Sequence, residues 1–206
     1  MRIDEEIETR MNMDIEITSI GRSFLAKKNL FIAMAGLPGT GKSTLAYQLG
    51  KRLDALILNK DNIRAELFAR EAINFSREQD DLCMNVIFII SGYILRANSK
   101  QSIIIDGRTF SKSYQIDQLL SHAALLKVKP LIIECICNDI IVRQRLEDSQ
   151  RRGAHSAFNR TYELYLELKE KAEQITGDHL VIDTGEDSLE NSVERCLEYI
   201  KFFLTD

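Results

Sequence analysis

The chain has 206 residues, 45% of them hydrophobic and 28% charged, and a formal net charge of −4. That length supports one hydrophobic core and is short for two, and with only two prolines and no low-complexity tract there is no linker to divide it. The acidic balance excludes a general electrostatic attraction to nucleic acid, which rests on Lys and Arg neutralising phosphates.

Residues 1–28 are polar and weakly periodic, an expected N-terminal extension to one domain over 29–206. Their early acids, Asp4, Glu5, Glu6 and Glu8, do not form a basic-then-apolar signal pattern. Residues 30–35 are a short apolar run ending in a Gly-rich turn, which predicts a buried strand. Residues 43–53 place Leu45, Leu49 and Leu53 on one helical face. Residues 55–58 read as a second strand, followed by a helix that Asp61 is placed to cap. Ser76-Arg77-Glu78-Gln79 matches a capping box opening a long helix to about residue 97. Next come a strand over 102–106, a helix over 113–126 and a strand over 131–137. A basic helix with its following loop spans 139–155, and a further helix is expected over 159–175. A last strand over 179–183 and an amphipathic helix over 189–204 close the chain. Strands alternating with helices imply a parallel sheet covered on both faces, with ligands bound at the strand C-termini.

The four cysteines do not form a metal site by spacing. Cys135 and Cys137 share one face of a strand and read as small buried hydrophobes, which fits a reduced, cytoplasmic setting. The longest apolar stretch, 84–95, is too short to span a bilayer and is interrupted by Asn85 and Ser91, so a soluble protein is expected.

The most specific signal is Gly36-Leu37-Pro38-Gly39-Thr40-Gly41-Lys42-Ser43, which matches G-x-x-x-x-G-K-[ST] at every fixed position. It follows a strand and opens an amphipathic helix, the context that confirms a phosphate-binding loop. Its glycines let several N–H groups turn toward one anion, and the helix start adds a positive dipole end. Lys42 is placed to reach the β- and γ-phosphates of ATP, and the Ser43 hydroxyl to ligate Mg²⁺. Thr44 opens the helix beside them.

Further polar residues follow successive strands. Asp106 ends the run Ile103-Ile104-Ile105 as a Walker B acid would, ordering Mg²⁺. Asp61 either caps its helix or accepts a proton from an acceptor hydroxyl, with Arg64 holding substrate or phosphate. Arg143, Arg145, Arg151 and Arg152 crowd one segment, either a solvated helix face or a cationic lid over the transferring phosphate.

With these elements in order, the chain resembles the P-loop kinases grouped as AAA-type predicted kinases, relatives of polynucleotide 5′-kinase, zeta toxin, chloramphenicol phosphotransferase and gluconate kinase. The resemblance covers about residues 30–204 and is carried by residues 36–44, Asp61-Asn62-Ile63-Arg64, residues 105–110 and the Arg-rich stretch 143–152. It implies a three-layer P-loop NTPase fold: a five-stranded parallel sheet, helices on both faces and an Arg-rich lid at about 143–158. It also implies ATP on the loop, Asp61 as acceptor-side base, Arg64 and Arg108 toward the acceptor, and lid arginines on the transferring phosphate. The family's R-L-x-x-R lid pattern is broken here, because Arg145-Leu146 is followed by Ser149, with Arg151 and Arg152 just beyond. The leading expectation is a kinase acting on a small-molecule hydroxyl. A polynucleotide 5′-hydroxyl kinase and an ATP-binding regulator without acceptor chemistry are the alternatives.

Overall fold

The computed structural model describes residues 29–98, 100–152 and 159–205. The extension expected over 1–28 and residues 153–158 of the expected lid lie outside the described residues. Five strands form one sheet: β1 (Phe31–Ala35), β2 (Ala55–Asn59), β3 (Ser102–Asp106), β4 (Pro130–Ile136) and β5 (Leu180–Asp183). Every pairing is parallel, in the order β2-β3-β1-β4-β5.

The strands are apolar on both faces, as a sheet covered on both sides requires. One face, with Ile32, Met34, Ile104 and Ile133, packs against α1 (Lys42–Leu53) and α7 (Leu189–Thr205). The helices contribute Leu45, Leu49 and Leu53 and, from α7, Val193, Cys196 and Ile200. The other face, with Phe31, Ala33, Ile103 and Ile105, packs against α3 (Arg77–Ala97) and α4 (Ser113–Leu126). Cys83, Cys135 and Cys196 are buried free thiols, and Cys137, one residue past β4, is half-buried. Among the described residues, no helix is long and apolar enough to cross a membrane.

Two helix boundaries differ from expectation. The short helix α2 (Lys60–Leu67) is capped by Asn59 rather than Asp61. The Asn59 side-chain oxygen accepts from the backbone N–H groups of Asp61 (3.0 Å) and Asn62 (3.1 Å). The cap therefore sits on the last residue of β2, and the Asp61 carboxylate is left for other partners. The helix expected over 159–175 is shorter, α6 (Tyr162–Glu170), and is capped by Thr161. It stops because the chain beyond it is drawn onto the loop before α4: Glu173 N–H donates to the Ser111 carbonyl at 2.9 Å, and the Glu173 carboxylate accepts from Lys112 Nζ and from the Ser113 backbone N–H at 2.7 Å. Ser76 caps α3 as the sequence predicts, accepting from Gln79 N–H at 3.2 Å.

The β2–β3 register aligns Asn59 with Asp106 at the sheet's C-terminal edge, and Asn59 Nδ2 donates to Asp106 Oδ2 at 2.7 Å. Asn59→Ala removes a helix cap and the partner of a buried carboxylate together. It should lower the unfolding free energy in urea by about 2 kcal/mol, whereas an unchanged midpoint would show that neither bond contributes.

Candidate active site

The loop between β1 and α1 is shaped by backbone angles that side chains resist. Gly36 has φ 125°, and a Cβ there would lie 2.2 Å from the Cys135 carbonyl oxygen of the neighbouring strand. Gly41, at φ 85°, is the N-cap of α1, so the first free N–H groups of that helix face the loop. Lys42 is 5% exposed, and its Nζ donates to the Leu37 carbonyl at 2.7 Å. Burial, reinforced by the nearby Arg160 guanidinium, lowers its pKa to about 8 despite the opposing Asp106 carboxylate. Ser43 is half-buried and Thr44 exposed at the start of α1.

Asp106 is 1% exposed; one carboxylate oxygen holds Asn59, and Oδ1 has no partner. A buried, orphaned carboxylate oxygen near the Ser43 hydroxyl's loop is the donor chemistry that Mg²⁺ takes beside nucleotide phosphates. These two residues fit such an ion. Among the described residues there is no cluster of His, Cys, Asp and Glu able to hold a metal without a nucleotide.

Asp61 is 5% exposed and carries the densest set of contacts in the cleft. Arg64 Nη1 donates to its Oδ1 at 2.6 Å, Arg160 Nη2 to its Oδ2 at 2.5 Å, and Lys60 Nζ lies 3.9 Å away. Burial alone would raise the Asp61 carboxyl, but Arg160, Lys60 and Arg64 together outweigh it and hold the group below its usual pKa. Asp80, in the first turn of α3, accepts from Lys60 at 2.7 Å and from Arg64, so the two cations bridge the two carboxylates.

Two cavities open here. The first, about 510 Å³, is lined by Gly39, Gly41, Ser43, Arg145, Thr184 and Asp187 among others. The second, about 380 Å³, is lined by Pro38, Asp61, Arg64, Asp80, Tyr114 and Gln115 among others. Both volumes lie in the range of small-ligand sites. Lys42 and Arg160 line both cavities and form their common wall.

The expected lid arginines separate. Arg145 lies on α5 (Asp139–Arg152) and donates to the Thr184 carbonyl and hydroxyl, each at 2.8 Å, tying that helix to the turn after β5. Val142 and Leu146 of α5 pack with Tyr165 of α6 against Leu37 of the loop. Arg151 and Arg152 are exposed and pair with Asp148, outside both cavities. Arg143 is exposed on Glu147. Arg108 is 2% exposed and donates to Asp81 at 2.6 Å, behind the wall of the second cavity rather than on it. Arg160, Lys60 and Asp80 are the site residues that sequence reasoning missed. Arg160 precedes the helix cap Thr161, and beginning α6 at that cap would have placed it in a loop at the sheet's C-terminal edge.

A family model described as "AAA domain" matches residues 31–174. No curated protein matches the chain in sequence. Among solved structures, the Mycobacterium tuberculosis APS kinase CysC, in complex with AMPPNP and APS, is similar with a TM-score of 0.62 at 14% identity, over 84% of this chain and 98% of that one. A gluconokinase from Sinorhizobium meliloti 1021 gives 0.61 at 15% identity, over 85% and 98%. Chaetomium thermophilum Kti12, in complex with ADP-AlF3, gives 0.62 at 14% identity, over 83% and 97%. At these identities the likeness is one of fold. The chain belongs to the AAA domain family, and its fold is that of the P-loop kinases.

Proposed function

We propose that the protein is a phosphotransferase that moves the γ-phosphate of ATP to a hydroxyl of a small-molecule acceptor. The observation that carries this reading is the shared wall: a cavity on the phosphate loop and a cavity around a buried carboxylate meet at Lys42 and Arg160. A nucleotide-binding regulator needs the first cavity and has no use for the second.

In this reading the N–H groups of the 36–43 loop and the start of α1 take the phosphates. Lys42 exchanges the Leu37 carbonyl for the β- and γ-phosphate oxygens. Ser43 and Asp106 would hold Mg²⁺, which when bound neutralises charge on the phosphates. The acceptor hydroxyl sits in the second cavity beside Asp61. Its oxygen forms the new bond to the γ-phosphorus as the bond to the β,γ-bridging oxygen breaks, ADP leaves, and the hydroxyl proton passes to Asp61 and on to solvent. A carboxylate held below its usual pKa is a weak base, yet phosphoryl transfer depends mainly on positioning and charge stabilisation. Arg160 completes the arrangement, because its guanidinium can turn from Asp61 to the transferring phosphoryl group. Losing that cation's pull raises the basicity of Asp61 at the moment when a base is needed.

Phosphate transfer from radiolabelled ATP to pooled hydroxylated metabolites tests the reading. Asp61→Asn should lower kcat by about 100-fold or more while leaving the nucleotide Kd nearly unchanged. Full transfer by this variant would sink the assignment. Arg160→Gln should lower kcat by about 1000-fold, also with a small change in nucleotide Kd, and a purely structural arginine would show the loss in stability alone.

Lys42 gives a pH dependence with a definite sign. Its pKa of about 8 means that the ammonium is charged below that pH and neutral above it, and bound phosphates favour the charged form. Nucleotide affinity should fall as pH rises through about 8, and binding above that pH should take up a proton. Calorimetry in buffers of different ionisation enthalpy reads this directly, and proton-neutral binding above that pH would contradict it.

A further inference from the structure

We propose that the second cavity takes an acceptor that carries a carboxylate or phosphate group besides its reacting hydroxyl, with Arg77, Lys112 and Lys171 as the anion-recognising side chains. The inference rests on the phosphotransfer reading for the place of the hydroxyl, and on the cavity wall for the anion.

The charge of the wall is opposite to that of the protein. The chain is formally −4, whereas the wall sets Asp61 and Asp80 against a larger number of cations. Lys42 and Arg160 belong to the border with the nucleotide, and Lys60 and Arg64 are committed to Asp61 and Asp80. Three more cations converge from the ends of three helices: Arg77 at the start of α3, Lys112 at the N-cap of α4 and Lys171 at the C-cap of α6. Their charge is compensated only in part. Arg77 lies 3.6 Å from Asp81, a carboxylate already held at 2.6 Å by Arg108. Lys112 forms an ion pair with Glu173 at 2.9 Å, so the uncompensated charge is that of Arg77 and Lys171. Lys171 makes no ion pair among the described residues. Further contacts hold this group in place. The Arg77 guanidinium lies 4.1 Å over the Tyr114 ring, and the Glu173 contacts fix the chain around Lys171 against the 111–113 loop.

Two residues of the wall also hold buried polar atoms without a partner. Gln115 and Arg64 both line the cavity and are at most 9% and 2% exposed, and Gln115 Oε1 and Arg64 Nε have no hydrogen-bond partner. Buried polar atoms left unpaired are costly unless something fills the site. A hydroxylated anion supplies acceptors for the guanidinium and ammonium groups of the wall in charge-assisted bonds. The volume of about 380 Å³ suits one small molecule better than a strand of nucleic acid, whose binding leans on an open basic groove with stacking aromatics.

The test is ligand binding by the full-length protein saturated with AMPPNP and Mg²⁺, read by thermal shift and calorimetry. The pools are neutral sugars, polyols and nucleosides; sugar acids and hydroxy acids; sugar phosphates and nucleoside monophosphates; and a 5′-hydroxyl oligonucleotide. The proposal predicts that a carboxylated or a phosphorylated pool raises Tm, which tells the two anions apart. Its best member should bind about tenfold or more tighter than the neutral counterpart. Lys171→Gln combined with Arg77→Gln, both exposed positions, should abolish that preference while the AMPPNP shift persists. Equal or stronger binding of neutral ligands, binding of the oligonucleotide alone, no response to any pool, or anion binding untouched by the double variant would each overturn it. Radiolabel transfer to the same pools, with radiolabelled ATP in place of AMPPNP, separates the two readings. Anion binding without transfer removes the kinase reading and leaves the anion site, whereas transfer to neutral hydroxyls alone does the reverse.

Discussion

The arrangement of this site depends on one buried carboxylate. Asp61 is almost fully enclosed, and moving an unpaired carboxylate out of water costs several kcal/mol, more than a marginally stable domain spares without compensation. Arg64, one turn along the same helix, supplies one partner, and Arg160, nearly a hundred residues further along the chain, supplies the other. The first contact fixes the carboxylate within its own helix. The second draws the segment before α6 across the sheet's C-terminal edge and so closes the border between the two cavities. On the proposed function, stability and activity are coupled at this point, because the cation that makes the buried acid tolerable is the one proposed to turn to the transferring phosphoryl group.

The rest of the cleft supports that pair. Asn59 takes over the capping of α2 and at the same time holds Asp106, so one Asp106 oxygen stays unpaired and the Asp61 carboxylate is left to its arginine partners. The parallel register that aligns Asn59 with Asp106 is set by the apolar strands beneath it. On the other side of the loop, Arg145 and the small cluster of Val142, Leu146 and Tyr165 bind α5 to the turn after β5 and to Leu37. The nucleotide side of the cleft is thus a wall of packed helix, with the exposed arginines of α5 facing solvent.

How much of this was legible depends on how local each determinant is. The phosphate loop is local: fixed glycine positions, a lysine and a hydroxyl at fixed spacing after an apolar strand specify both the turn and its ligand chemistry. Alternating strands and helices were equally plain, since every strand is a short apolar run. Asp61 was visible as a chemical residue, but its competing role as a cap was settled by which side chain lay nearer the free N–H groups, and that was Asn59. The lid was harder. Arg151 and Arg152 stand out as a basic pair, yet on α5 they are exposed and share one carboxylate, Asp148. Arg160 is a lone arginine in no motif, and its place is dictated by the path the chain takes to enter α6. Arg108 sits two residues past β3, but its side chain turns inward to Asp81 and Gln118. Positions fixed by tertiary reach leave no pattern in the sequence.

The central claim is that the Asp61 carboxylate is kept ionised in the resting protein by a cation reaching over from the nucleotide side. A ¹³C NMR titration of the Asp61 carboxyl, in the native protein and in Arg160→Gln, tests it most directly. The account predicts that Asp61 titrates below the ordinary aspartate range and that removing Arg160 moves it upward toward the value its burial favours. An Asp61 pKa at or above the ordinary value in the native protein, or one indifferent to Arg160, would contradict it.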